Sequence, residues 1–191
     1  ISKLIDYVQD DIRYMGIESG IGSIKPFDPE QVVKQRFGDC KDKSLLLVWL
    51  LKYIGVEEAY PTLVNTVKRS ELDKYLVSNQ VFNHCIVKFE HNDTTYWVDP
   101  TNVMQGGDYN ELYTENYGKA LVVGQVADTL QSMSLSKTVG KANYIDEYTF
   151  KSFTEPGKLL MKSERFGFEA DNRRLLMEYY SVNDLVDAVS N

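Results

Sequence analysis

Cysteine and histidine are scarce in this chain, with two of each among 191 residues. Two cysteines form no disulfide framework, and the short Cys-x₂-Cys and His-x₃-His spacings of structural zinc sites do not occur. No metal or other cofactor is expected. Long hydrophobic runs are lacking as well. The longest, Leu45 to Leu51, covers seven residues, against the ~18–20 that a membrane-spanning helix requires. A basic stripe is missing too: 21 Lys and Arg stand against 28 Asp and Glu, for a net charge of −7. Nucleic acid is therefore not an expected partner. The small groups Lys41/Lys43 and Arg173/Arg174 read as solvated charge. No internal repeat or low-complexity segment is visible. Ile1 in place of an initiator Met marks the chain as an expected piece of a longer or processed product.

What is present is enough apolar sequence, 43%, for one core and a smaller appendage. Ile1, Leu4, Ile5, Val8, Ile12 and Met15 recur near helical spacing and predict a helix over Ile1–Tyr14. Residues 17–29 read as a loop, followed by a short helix from Pro29 to Arg36. From Cys40 to Ile54 a helix is predicted that is apolar on nearly every face, hence buried, with Asp39 as its cap and Gly55 as its stop. Strands are predicted over Tyr60–Thr66, Phe82–Phe89 and Thr94–Asp99, with a turn at His91-Asn92-Asp93, and a fourth over Ala120–Val123. Thr101–Tyr117 reads as a long surface loop. Beyond a boundary near Ser136–Gly140 the texture changes. Tyr144–Phe153, Gly157–Arg165 and Arg173–Tyr180 alternate polar with apolar and predict a small antiparallel β unit. The expected division is 1–136 and 137–191.

Chemistry is carried by three residues. A cysteine attacks as thiolate, and a helix N-terminus favours that form. An imidazole takes the proton, and a carboxylate on the other ring nitrogen fixes the tautomer. Cys40 opens the central helix, His84 lies on one strand and Asp99 ends the next. Alternation places Phe82, His84 and Ile86 on one face of their strand, with Cys85 and Val87 on the other. If the hairpin turns on Asn92-Asp93 alone, His91 faces Thr94, and His84 becomes the diagonal neighbour of Asp99 on the same face. A three-residue turn would separate them. Taken singly, each residue has a bland reading: an inert core thiol, or a strand histidine that satisfies one hydrogen bond. Cys85 is expected to be a buried structural thiol, and His91 a solvated turn residue. Trp97 and Phe82 read as core before substrate platform. For an oxyanion the backbone N–H of Cys40 is one donor, and Gln9 and Tyr14 are candidate second donors by position.

Together the stretches Arg36-Phe37-Gly38-Asp39-Cys40-Lys41-Asp42-Lys43-Ser44-Leu45-Leu46, Phe82-Asn83-His84-Cys85-Ile86-Val87 and Trp97-Val98-Asp99-Pro100-Thr101 resemble the transglutaminase-like superfamily. More narrowly, they are similar to bacterial transglutaminase-core proteins that often carry an extra β domain before the core, and the likeness covers roughly residues 1–130. The resemblance implies an α+β, papain-like fold with the nucleophile on a central helix packed against an antiparallel sheet. It implies Cys40 as nucleophile, His84 as general base and acid, and Asp99 as orienter. The activity implied is acyl transfer on amide bonds of a protein or peptide substrate, of transglutaminase, deamidase, peptidase or amidase type, in an extracytoplasmic setting. The rival expectation is a non-catalytic peptide- or glycan-binding module on the same fold.

Overall fold

A computed structural model describes residues 1–16, 22, 24–76, 78–125, 129–136 and 138–190. Part of the loop expected over 17–29 therefore lies outside the described residues, at 17–21 and 23. The chain divides into two compact units, Ile1–Lys137 and Thr138–Asn191. Both mix helices with antiparallel strands. Among the described residues no helix is long and apolar enough to cross a membrane.

The first unit is organised around α3, Cys40–Tyr53, and a five-stranded antiparallel sheet. Its strands are β3 (Ala59–Val64), β4 (His84–His91), β5 (Thr94–Val98), β6 (Lys119–Val122) and β7 (Gln131–Ser132), in the spatial order β5-β4-β3-β6-β7. Asp39 is extended and its carboxylate accepts from the backbone N–H of Lys41 and Asp42, while Asp42 returns a bond to the Asp39 N–H, a reciprocal capping box. That cap sets where the helix begins. Gly55, at φ +90°, turns the chain out of the helix in the left-handed region.

One face of the sheet packs Val87, Phe89 and Val98 against Leu46, Leu47 and Leu51 of α3 and against Ile5, Val8 and Ile12. The opposite face gathers Val64, Ile86, Tyr117, Ala120 and Met133, with Trp97 alongside. Between β4 and β5 the turn consists of Asn92 and Asp93 alone, both at positive φ (49° and 55°), as a type I′ hairpin requires. His91 accordingly pairs with Thr94, and Val87 with Val98. This is the register that keeps His84 and Asp99 on one face.

Several expectations need correction. The N-terminal helix α1 spans Ser2–Asp6 and then widens into a π turn, Tyr7–Asp11, that stops at Ile12. Arg13–Tyr14 instead form a short strand β1, parallel to β2 at Phe37–Gly38, with α2 (Pro29–Gln35) between them. The cause is Lys43. It is fully buried, not solvated, and its ammonium donates to the carbonyls of Gln9 and Ile12 at 3.1 and 2.7 Å, satisfying the groups a continuing helix would have used. Nor is α3 buried all round: Trp49 and Tyr53 stack on an exposed outer face. The stretch Thr101–Tyr117 lacks regular strands or helices as expected, yet it buries Leu112, Thr114 and Tyr117.

In the second unit β8 (Lys141–Thr149) and β9 (Lys158–Phe166) form an antiparallel hairpin, Thr149 opposite Lys158. The strand expected over Arg173–Tyr180 is not there. That segment belongs to helix α4, Phe168–Tyr179, and is followed by helix α5, Val182–Ser190. Glu169 and Asp171 sit in the first turn of α4, where the dipole favours acid, and Arg174 pairs with Asp171 three residues away. Asp171-Asn172 thus lie in the start of that helix. The unit is a hairpin with two helices, not an all-β unit.

The inner and outer faces of α3 should respond very differently to truncation. Leu47→Ala is expected to lower the free energy of unfolding by about 2–5 kcal/mol, as buried leucines do. Tyr53→Ala, at a position 81% exposed, is expected to change it by under about 1 kcal/mol. Urea unfolding of both variants checks the assignment; equal losses would contradict it.

Candidate active site

Cys40 occupies the first position of α3. The carboxylate of Asp39 takes the N–H groups of Lys41 and Asp42, and its carbonyl takes that of Lys43. The N–H of Cys40 is left at the positive end of the helix. Gly38 lets β2 pass close by, since a Cβ there would stand 2.7 Å from the Cβ of Asp42. Cys40 itself is 7% exposed.

His84 opens β4, and Asp99 follows directly on the end of β5. Their side chains meet, with His84 Nε2 2.7 Å from Asp99 Oδ2. A carboxylate only accepts, so Nε2 carries the hydrogen. Nδ1 is then the ring nitrogen left for the Cys40 thiol, which also interacts with this imidazole. The sheet thus brings His84 and Asp99 together, and the start of α3 sets Cys40 in interaction with the imidazole.

Asp99 is 2% exposed, and a buried carboxylate needs donors. Its Oδ1 accepts from Thr101 twice, from the backbone N–H at 2.9 Å and the hydroxyl at 2.6 Å. Its Oδ2 accepts from His84 and, at 3.0 Å, from the hydroxyl of Tyr117. Burial alone would raise the Asp99 pKa, but the hydrogen bond and charge of His84, followed by the bonds from Thr101, bring it below the ordinary carboxylate value. For His84, burial opposes the charge. The hydrogen bonds to Asp99 and Cys40 and the negative charges of both together outweigh it and push the imidazole up to about 10. Lys43 is pushed down to about 8 by burial, against the attraction of Asp10 and Asp99.

The two candidate oxyanion donors are placed differently. Gln9 is buried, and its Nε2 is committed to the backbone carbonyl of Asp99 at 2.9 Å and to Gln105 Oε1 at 2.8 Å. Both of its amide hydrogens are occupied in holding the segment after β5. Tyr14 lies in β1 opposite Gly38 and is about half exposed. Cys85 faces away from His84 and is buried, and burial pushes its thiol up to about 12. His91 is half-buried, edge-on to Tyr109. Among the described residues no group of His, Cys, Asp and Glu could hold a metal ion.

Sequence reasoning missed Tyr117, Lys43 and the part played by Thr101. For Thr101 a signal existed: Asp-x-Thr after a strand is a turn in which the carboxylate takes the N–H two residues on. Tyr117 lies eighteen residues from Asp99 across irregular chain, and no local pattern announces it. The chain matches no known protein family, no curated protein and no solved structure.

A raised His84 pKa binds a proton more tightly in the folded than in the unfolded state. Its stabilisation is therefore complete below about pH 6.5 and is lost as pH rises toward about 10. Lys43, depressed to about 8, acts in the opposite sense, its penalty fading as pH rises from there, so the window from 6.5 to 8 isolates His84. In a Cys40→Ala background, where no thiol titrates beside the ring and Asp99 alone raises it, unfolding free energy should fall across that window by up to about 1 kcal/mol per pH unit. Adding Asp99→Asn should abolish most of the slope. Urea unfolding at pH 6.5, 7.2 and 8 reads both.

Proposed function

We propose that the chain is a cysteine-dependent acyl-transfer enzyme of transglutaminase-like type, acting on amide bonds of protein or peptide substrates. The observation that carries the reading is the His84–Asp99 hydrogen bond, made by a ring whose other nitrogen is left to a cysteine at a helix N-terminus. The order of the parts supports it further: nucleophile on a helix packed against an antiparallel sheet, base on one strand, orienter at the end of the next. That is the arrangement a papain-like core has.

In the proposed cycle Cys40 Sγ, as thiolate beside the protonated ring, attacks the carbonyl carbon of a carboxamide or peptide bond. The oxygen that gains charge is met by the Cys40 N–H at the helix start. Nδ1–H of His84 passes its hydrogen to the leaving nitrogen, the C–N bond breaks, and a thioester to Cys40 remains. Water or an amine then attacks the thioester, giving its proton to Nδ1, and the thiolate departs. Asp99 holds Nε2–H throughout and does not take the proton. Released ammonia points to deamidation or transamidation, and a new amino terminus to a peptidase.

Alkylation by iodoacetamide tests the reading. Cys40 should react appreciably at pH 6, where an ordinary thiol of pKa about 8.5 is under about 1% thiolate. Cys85, pushed up to about 12, should stay unlabelled in the folded protein. Cys40→Ala should remove the label, and His84→Ala should cut the pH 6 rate at least about tenfold. A wild-type Cys40 that reacts only with a midpoint above pH 8 would transfer the case to the non-catalytic binding module.

A further inference from the structure

The irregular chain between β5 and β6 ends in a tyrosine that the cycle above does not use. Tyr117 is 7% exposed. Its hydroxyl donates to Asp99 Oδ2 at 3.0 Å, the same oxygen that accepts the His84 hydrogen at 2.7 Å. Its ring stands edge-on to the imidazole, centroids 5.8 Å apart and planes at 76°. The placement is built by the fold. Gly118 has φ +75°, and a Cβ there would come within 2.3 Å of the Ser70 backbone nitrogen, so the chain at 117–118 lies directly against the 3₁₀ segment Arg69–Lys74. Arg69 in that segment pairs with Glu115.

Two donors on one carboxylate oxygen divide its negative charge between them. Asp99 Oδ1 is already filled by Thr101, so Tyr117 competes with His84 alone. Resting on the acyl-transfer reading, we infer that Tyr117 is a positioning residue of this site. Its phenol O–H shares Asp99 Oδ2 with His84 and limits how tightly the carboxylate holds the imidazolium hydrogen. It thereby sets the upper pH at which the Cys40–His84 pair operates. The other charged groups facing this cluster are Lys43 from α3, which is drawn toward Asp99 and Asp10, and Glu115 and Arg69 beside Tyr117. None of them hydrogen-bonds Asp99 Oδ2 among the described residues.

The chain has only two histidines, so imidazole titration by NMR is simple to assign, with His91 as the internal control. In Tyr117→Phe the ring remains and the donor is gone. Asp99 then holds the imidazolium alone, and the His84 midpoint should rise by about half a pH unit or more. His91 should not move, and the alkaline limb of Cys40 alkylation should follow His84. A merely space-filling tyrosine would change stability and leave both midpoints in place. A raised wild-type His84 midpoint that is equal in Tyr117→Phe overturns this inference alone. A wild-type His84 that titrates near the ordinary 6.5 overturns the proposed site itself. Should Tyr117→Phe fail to fold, the wild-type phenol hydrogen carries the test. Donated to Asp99, it is protected from exchange and shows cross-relaxation with His84 Nε2–H; a freely exchanging hydroxyl overturns the inference.

Discussion

The buried carboxylate of Asp99 is the constraint around which the first unit is arranged. A lone ion at 2% exposure is costly to desolvate, and the cost is offset only when its lone pairs are filled. Four hydrogen bonds to its side chain do so, from His84, from Thr101 twice and from Tyr117. These donors come from β4, from the turn after β5 and from the chain just before β6. Each element must therefore end where it does. If the hairpin slipped by one residue, His84 would cross to the opposite face and the charge would lose its only cationic hydrogen-bond partner among the described residues. The two-residue turn at Asn92-Asp93 is in this sense part of the site, though it lies six or more residues from it along the chain.

The backbone of Asp99 is held as firmly as its side chain. Gln9 donates to its carbonyl and to Gln105, and Gln105 donates in turn to the carbonyl of Tyr113. Gln9 is presented by the π turn, and that turn is terminated by the ammonium of Lys43. Lys43 stands three residues after Cys40 on the same helix, and Ser44 next to it donates to the carbonyl of Cys85, the neighbour of His84. Helix α3 therefore does more than supply a thiol. Its buried polar side chains dock the N-terminal segment on one side and β4 on the other, and both contacts locate the groups that surround His84 and Asp99.

The parts legible in the sequence were those governed by local rules. The cap at Asp39, the apolar length of α3, the period-two alternation of β4 and β5 and the turn chemistry of Asn92-Asp93 each leave a short-range mark, and they sufficed to bring Cys40, His84 and Asp99 to one place. What escaped was set by distant partners. Lys43 looks like surface charge until two carbonyls 34 and 31 residues upstream receive it. Tyr117 looks like one of several loop tyrosines until the sheet carries Asp99 to it. In the second unit the error was of another kind. Arg173–Tyr180, expected as a strand, runs in blocks without a strict period of two, and good helix formers, an acidic first turn and the Asp171–Arg174 pair favour α4.

The two cysteines show how far environment, rather than residue type, decides the chemistry proposed here. Both are buried and neither is bridged. Cys85 lies inside a strand, with its sulfur 3.8 Å from the carbonyl of Ile86 and no base beside it, so removal from water simply disfavours the thiolate and pushes the group up to about 12. Cys40 is as buried, yet it faces the positive end of α3 and an imidazole whose proton Asp99 retains. In the proposed ion pair, desolvation would fall on two opposite charges at once, and low local dielectric would strengthen their attraction even as it penalises each alone. An exposed thiol would gain less from the same partners. On the proposed chemistry burial is an asset for Cys40 and an obstacle for Cys85, and the difference comes from where α3 begins and which face of β4 each side chain meets.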